Sequence, residues 1–206
     1  MKINYYPGCT LKTKAKDLDY YARKSAEKLG VTMIPMIINF EEESYNDGVD
    51  LTPDEFYEKL IESDVMPTTS QATPDAFMNE FEKVKQAGES AVVITLSSKL
   101  SGTYQSACIA VEDYENIYIV DGMSAAIGTG ILVELAVRML DEGKSAKEIA
   151  ESIENVKSKV LVIALIDTLE YLKKGGRISK TVAFVGGVLN IKPVISVVDG
   201  EIEMLG

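Results

Sequence analysis

Hydroxyl side chains crowd one turn of the chain, Leu96-Ser97-Ser98-Lys99-Leu100-Ser101-Gly102-Thr103-Tyr104-Gln105-Ser106. An apolar run, Ala91-Val92-Val93-Ile94-Thr95, leads into it and reads as a buried strand. A helix-compatible segment leads away from it to Glu112. A helix that begins at such a turn has unpaired backbone N–H groups and partial positive charge at its start, which attract carboxylates and phosphates. The hydroxyls then have two uses, capping the helix and holding an anion. The two are compatible, because Ser101 can cap while Ser97 or Ser98 donates to a ligand.

What the chain lacks narrows the chemistry. It contains no histidine, which removes Ser-His-Asp and Cys-His catalysis and histidine-ligated zinc. Lys99 follows Ser98 directly, but adjacent side chains point apart, and no Ser-x-x-Lys spacing occurs here. Hydrolase chemistry is therefore disfavoured. The net charge of -11 argues against nucleic acid and anionic membrane surfaces, both of which need a basic footprint. No apolar run approaches the ~18 residues of a membrane span, so no stable membrane insertion is expected. Met1 to Tyr5 lacks the apolar core of a signal peptide. Two cysteines, Cys9 and Cys108, make no disulfide framework, which points to a cytoplasmic protein. No cofactor is expected.

The elements that position the turn follow from periodicity and punctuation. Lys2–Tyr6 reads as a short strand, Lys12–Leu29 as a helix stopped by Gly30, and Val31–Phe40 as a strand with a bulge or edge at Pro35. The polar stretch Glu41–Gly48 carries an Asp47-Gly48 turn signal. Thr52-Pro53-Asp54-Glu55 and Ser145-Ala146-Lys147-Glu148 are capping boxes, and Thr73-Pro74 opens another helix. Pro67–Gln71 reads as a polar loop. Ile117–Asp121 is a buried strand, and Ile131–Leu140 a long helix preceded by Gly128 and Gly130. Strands separated by helices of this length imply an α/β domain with a mostly parallel sheet, residues 1–158. From residue 159 the pattern changes. A strand at 160–166, a short helix at 168–174, a helix at 180–190 and an Asp199-Gly200 hairpin predict an incomplete α+β domain with antiparallel strands, residues 159–206.

Several blocks in order carry a resemblance to a known family. They are Glu43-Ser44-Tyr45-Asn46-Asp47-Gly48-Val49-Asp50 with Phe56-Tyr57, Pro67-Thr68-Thr69-Ser70-Gln71, and Leu96-Ser97-Ser98 through Ser106. Further on stand Asp121, Gly128 with Gly130, Asp167-Thr168-Leu169 with Tyr171-Leu172, Gly175-Gly176-Arg177-Ile178-Ser179 and Leu189-Asn190-Ile191-Lys192-Pro193. From residue 31 to 206 the chain closely resembles the DegV family, whose characterised members bind fatty acids. The resemblance implies a non-enzymatic lipid-binding protein of two domains, with a long-chain fatty acid in an apolar tunnel between them. It places the carboxylate ligands at Thr68 and at Ser97 or Ser98. It also implies an ATP-using fatty acid kinase subunit as a partner for some members, with Arg177 near the exposed carboxylate or that partner. Family members run on past the Asp199-Gly200 hairpin, so a second copy of the chain is expected to cover the incomplete domain.

Residues 1–30 depart from the family pattern and look like the start of a heterodisulfide-reductase-type CCG domain. Those domains bind iron–sulfur clusters through many cysteines, whereas Cys9 stands alone in this segment, so ligand count excludes a cluster. Cys9 reads either as a reactive thiol at a helix start or as a small buried side chain. The residues leave two alternatives to fatty-acid binding: a small-anion (phosphate)-binding α/β module, and a truncated or chimeric DegV-like protein that holds no ligand.

Overall fold

The computed structural model describes residues 2–4, 30–178 and 192–205, with Lys2–Asn4 described by backbone alone. Its centre is a four-stranded parallel sheet of β1 (Lys2–Asn4), β2 (Val31–Thr32), β6 (Ala91–Thr95) and β7 (Ile117–Asp121), in the order β2-β1-β6-β7. Every residue of β6 is buried, as a parallel strand with both faces covered requires. On one face Val92 and Ile94 pack with Leu132, Val133, Ala136 and Val137 of α4 (Ile127–Asp141) and Ile149 and Ile153 of α5 (Ala146–Val156). On the other, Ala91 and Val93 meet Phe77, Phe81 and Val84 of α2 (Pro74–Gln86) and Ala107 and Ala110 of α3 (Thr103–Ala110).

The helices start where their caps predict. Thr52 accepts from the Glu55 N–H, and Glu55 returns a bond to the Thr52 N–H, at the start of α1 (Pro53–Glu62). Ser145 and Glu148 repeat the exchange on α5. Each box satisfies two backbone donors that a bare helix end would leave unpaired. Thr73 caps α2 by accepting from the Ala76 N–H.

Three expectations need correction. Val31–Phe40 is not one strand. The chain leaves the parallel sheet after Thr32, and β3 (Ile37–Phe40) joins a separate antiparallel sheet of order β4-β3-β5. Pro35 lies between the two pieces, and its missing N–H cannot serve a ladder. Second, the polar stretch Glu41–Gly48 contains a strand that was not expected: Glu41-Glu42 turn β3 into β4 (Glu43–Asn46), with Glu41 at φ 49, and the expected Asp47-Gly48 turn follows it, with Gly48 at φ 67. Third, Thr68–Ser70 is not loop but β5, antiparallel to β3, with Thr68 opposite Asn39. Its polarity hid it, because the sheet buries only its other face, where Ile38 and Phe40 pack with Leu51, Phe56 and Leu60.

A third sheet, β10-β9-β8, is antiparallel throughout and comprises β8 (Val162–Leu165), β9 (Val194–Val198) and β10 (Glu201–Met204). Asp199 and Gly200 turn β9 into β10 at φ 48 and φ 83. The short helix α6 (Glu170–Lys174) follows β8. Leu161, just ahead of β8, and Ile163 and Leu165 on it stand at alternate positions and are exposed. The expected helices at 12–29 and 180–190, and Cys9, lie outside the described residues. Among the described residues no helix is long and apolar enough to cross a membrane.

Candidate functional site

Strand order locates the site before any side chain does. From β1 the chain goes to β2 on one side, and β6 and β7 continue on the other, so the direction of winding reverses between β1 and β6. Parallel α/β sheets bind ligands outside the carboxyl ends of their strands at such a switch point. The chain leaves the carboxyl end of β6 at Leu96 and enters Ser97-Ser98.

The hydroxyl-rich turn is not itself the helix start. Leu100 and Ser101 N–H groups donate to the Ser97 carbonyl at 3.0 and 3.1 Å, closing a tight turn, and α3 begins only at Thr103. Ser101 takes the capping part, accepting from the Thr103 N–H at 3.3 Å. The two candidate serines separate cleanly. Ser97 is wholly buried; its Oγ donates to the Gly200 carbonyl at 2.7 Å and accepts from the Lys99 N–H at 3.2 Å. Ser98 is exposed, and its hydroxyl makes no hydrogen bond among the described residues. Its N–H donates to Asp121 Oδ1 at 3.1 Å, and Met123 N–H donates to the same oxygen at 3.0 Å. Asp121, buried at the carboxyl end of β7, thus pins the turn after β6 to the turn after its own strand. The Ser97 N–H adds a second tie, donating to the Ser124 carbonyl at 2.7 Å.

Thr68 stands at the start of β5, exposed, on the same sheet face as Asn39 and Ser44. It makes no direct bond to Ser97 or Ser98. The connection runs through Gln71, three residues on, whose Nε2 donates to Ser106 Oγ of α3 at 2.9 Å. A Cβ at Gly102 would lie 1.9 Å from Gln71 Oε1, so the glutamine amide fills the space that this glycine leaves open. The structure therefore docks the block holding Thr68 onto the start of α3, beside the serine turn.

Arg177 reaches the same turn from beyond α6. Its Nε donates to the Leu100 carbonyl at 3.1 Å, and Nη1 donates to the Gly175 carbonyl. The guanidinium makes no ion pair among the described residues. Lys99 Nζ lies 3.6 Å from Glu201 Oε1, an exposed pair beside the turn. Tyr104, in the first turn of α3, has its phenol pushed up to about 12 by a hydrogen bond to Cys108, by burial and by the nearby charge of Asp121. No group of three or more metal-ligating side chains gathers among the described residues. Asp121, Gln71 and Gly200 were not assigned roles from sequence. An acid closing a buried strand was a readable signal for Asp121, whereas the Asp199-Gly200 turn signal carries no trace of the contact with Ser97.

Comparison with known proteins places this geometry. Residues 18–206 match the family described as "Uncharacterised protein, DegV family", a match that begins inside the atypical first 30 residues. A DegV domain-containing protein of Caldanaerobacter subterraneus is 41% identical over 178 residues, covering 85% of this chain and 63% of its own. One from Clostridium acetobutylicum is 38% identical over 86% of this chain and 64% of its own. The chain thus spans a little under two thirds of the length of these relatives. Among solved structures, "Fatty Acid Binding of a DegV family Protein from Thermus thermophilus" superposes with a TM-score of 0.81 at 30% identity, over 100% of this chain and 69% of that one. A stearic-acid-binding protein from Eubacterium ventriosum gives 0.82 at 30% identity with the same coverage.

Proposed function

This chain belongs to the DegV family, and from that membership we propose that it binds a long-chain fatty acid without transforming it. The carboxylate is held by the hydroxyls of Thr68 and the Ser97-Ser98 turn, and the acyl chain lies in an apolar tunnel between residues 1–158 and 159–206. The observation that carries this reading is the docking of the Thr68 block onto α3 through Gln71 and Ser106. It brings two hydroxyl-bearing segments to one end of the parallel sheet, at the switch point. Support comes from the Thermus and Eubacterium neighbours, whose fatty-acid binding is stated for those proteins. Hydroxyl donors suit a carboxylate, since hydrogen bonds to a charged group contribute about 1.5–3 kcal/mol each. Chain burial then adds ~0.8 kcal/mol per CH₂.

The small-anion alternative is less well served. A phosphate at the start of α3 needs free backbone N–H groups there. Ser101 already takes the Thr103 N–H, and Gln71 lies over Gly102. Within the proposal, Arg177 stands beside the serine turn to offset charge on the carboxylate, and a separate ATP-using kinase subunit receives the loaded protein. The exposed Leu161, just ahead of β8, with Ile163 and Leu165 on it, supplies an apolar surface for a second chain to cover.

Native mass spectrometry of the purified protein, with extraction of its lipid, tests the reading. A long-chain acid is expected to copurify or to be taken up when stearate is offered. A protein that carries no acyl chain and takes up no stearate rules the reading out.

A further inference from the structure

Two strands end side by side beneath the serine turn. Thr95 and Asp121 are the last pair of the β6–β7 ladder, and just past them the Gly122 N–H donates to the Thr95 carbonyl at 3.1 Å. A Cβ at Gly122 would lie 2.5 Å from that oxygen, so glycine lets the two chains pass this closely. From there the chains part, and one atom ties them. Asp121 Oδ1 accepts from the Ser98 N–H at 3.1 Å and from the Met123 N–H at 3.0 Å. Met123 lies at φ 48, a left-handed conformation that costs a residue with a Cβ, and its bond to Asp121 offsets that cost.

Every backbone N–H of the turn from Ser97 to Ser101 is taken. Ser97 donates to the Ser124 carbonyl, Ser98 to Asp121, Lys99 to Ser97 Oγ, and Leu100 and Ser101 to the Ser97 carbonyl. The Ser97 hydroxyl is spent on Gly200, and that of Ser101 lies 2.9 Å from the Thr103 hydroxyl. The exposed Ser98 hydroxyl is what this stretch has to offer a ligand. Where it points depends on how the Ser98 backbone is held.

We propose that Asp121 is a positioning residue for the fatty-acid headgroup: by holding the Ser98 N–H, it sets the direction in which the Ser98 hydroxyl leaves the turn. The inference rests on the fatty-acid reading above. Asp121 acts by the place of its oxygen and not by its charge, because a negative group behind a carboxylate site opposes binding. The charge serves the two N–H bonds, which an ionised acceptor strengthens.

Stearate binding by variants of the 206-residue protein decides this. Asp121→Glu keeps the charge and displaces the oxygen by one methylene, whereas Asp121→Asn keeps an oxygen in place and removes the charge. The Glu variant is expected to bind stearate about tenfold more weakly, one hydrogen bond's worth, and the Asn variant no more than about threefold. In a Ser98→Ala background the Glu change should cost nothing further, because both remove the same interaction. Stearate labelled with carbon-13 at its carboxyl reads the headgroup alone. Its bound resonance should move alike in Asp121→Glu and Ser98→Ala and stay in place in Asp121→Asn. A Glu variant with parental affinity and resonance, an Asn variant as weak as the Glu one, or a loss that persists without the Ser98 hydroxyl overturns the positioning role and leaves the fatty-acid reading standing. No stearate uptake by the parent protein overturns both. If Asp121→Glu does not fold, Asp121→Ala takes its place with the same expectations.

Discussion

The side-chain amide of Gln71 donates to Ser106 Oγ at 2.9 Å while its oxygen occupies the space where a Cβ at Gly102 would project. This contact joins two segments that are separate in sequence. β5 belongs to one sheet and α3 packs on another, and the Thr68 block reaches the serine turn by way of this glutamine.

Gly102→Ala is therefore expected to act through Gln71. The new methyl displaces the amide and breaks its bond to Ser106, so stearate affinity falls by about five- to tenfold, one ordinary hydrogen bond's worth. Gln71→Ala should match it, and the double variant should be no worse than either single one, because both remove the same interaction. Fluorescent fatty-acid displacement measures all three. Additive losses would show that the two residues act separately.

Thr68→Ala with Ser98→Ala addresses the proposed ligand hydroxyls directly. Both side chains are exposed, so the thermal midpoint should stay close to that of the parent protein. Loss of two hydrogen bonds to a charged group should weaken stearate binding by about a hundredfold or more. Unchanged affinity would place the carboxylate elsewhere.

Phe81 is wholly buried, with ring centroids 5.9 Å from Phe77 and 5.6 Å from Tyr114. Phe81→Ala should destabilise the fold by about 3–5 kcal/mol through lost burial and the cavity left under β6. In urea unfolding the midpoint should fall while the slope stays constant.

Tyr104 gives a pH signature. Its pKa is raised from 10.0 to about 12, first by its hydrogen bond to Cys108, then by burial, with Asp121 adding to both. The unfolded chain loses this proton near pH 10 and the folded chain only near pH 12. Stability from this group is therefore complete below pH 10 and drains away as pH rises through that window. Tyrosinate absorbance should show a late step from Tyr104, and Tyr114 is raised as well, by burial and by Glu82. Tyr104→Phe should remove that step and flatten the alkaline loss of stability.

Much of this protein is legible in its sequence, because the signals are local. The capping boxes at Thr52 and Ser145 start helices where their spacing says, since the cap and its N–H partner are three residues apart. The buried run at Ala91–Thr95 is a central parallel strand, and Asp199-Gly200 is a hairpin turn. The ordered family blocks identified the DegV relationship.

Tertiary structure decided what depends on partners far along the chain. Val31–Phe40 divides because its two halves find different sheets, and polar Thr68–Ser70 is a strand because β3 supplies its ladder. Ser97 and Ser98 are the same residue type side by side, yet one is buried against Gly200 and the other faces outward. A backbone carbonyl 103 residues away leaves no mark on the local pattern. Periodicity and turn chemistry read neighbours within a few residues, whereas the role of a hydroxyl is set by whichever acceptor the fold brings to it.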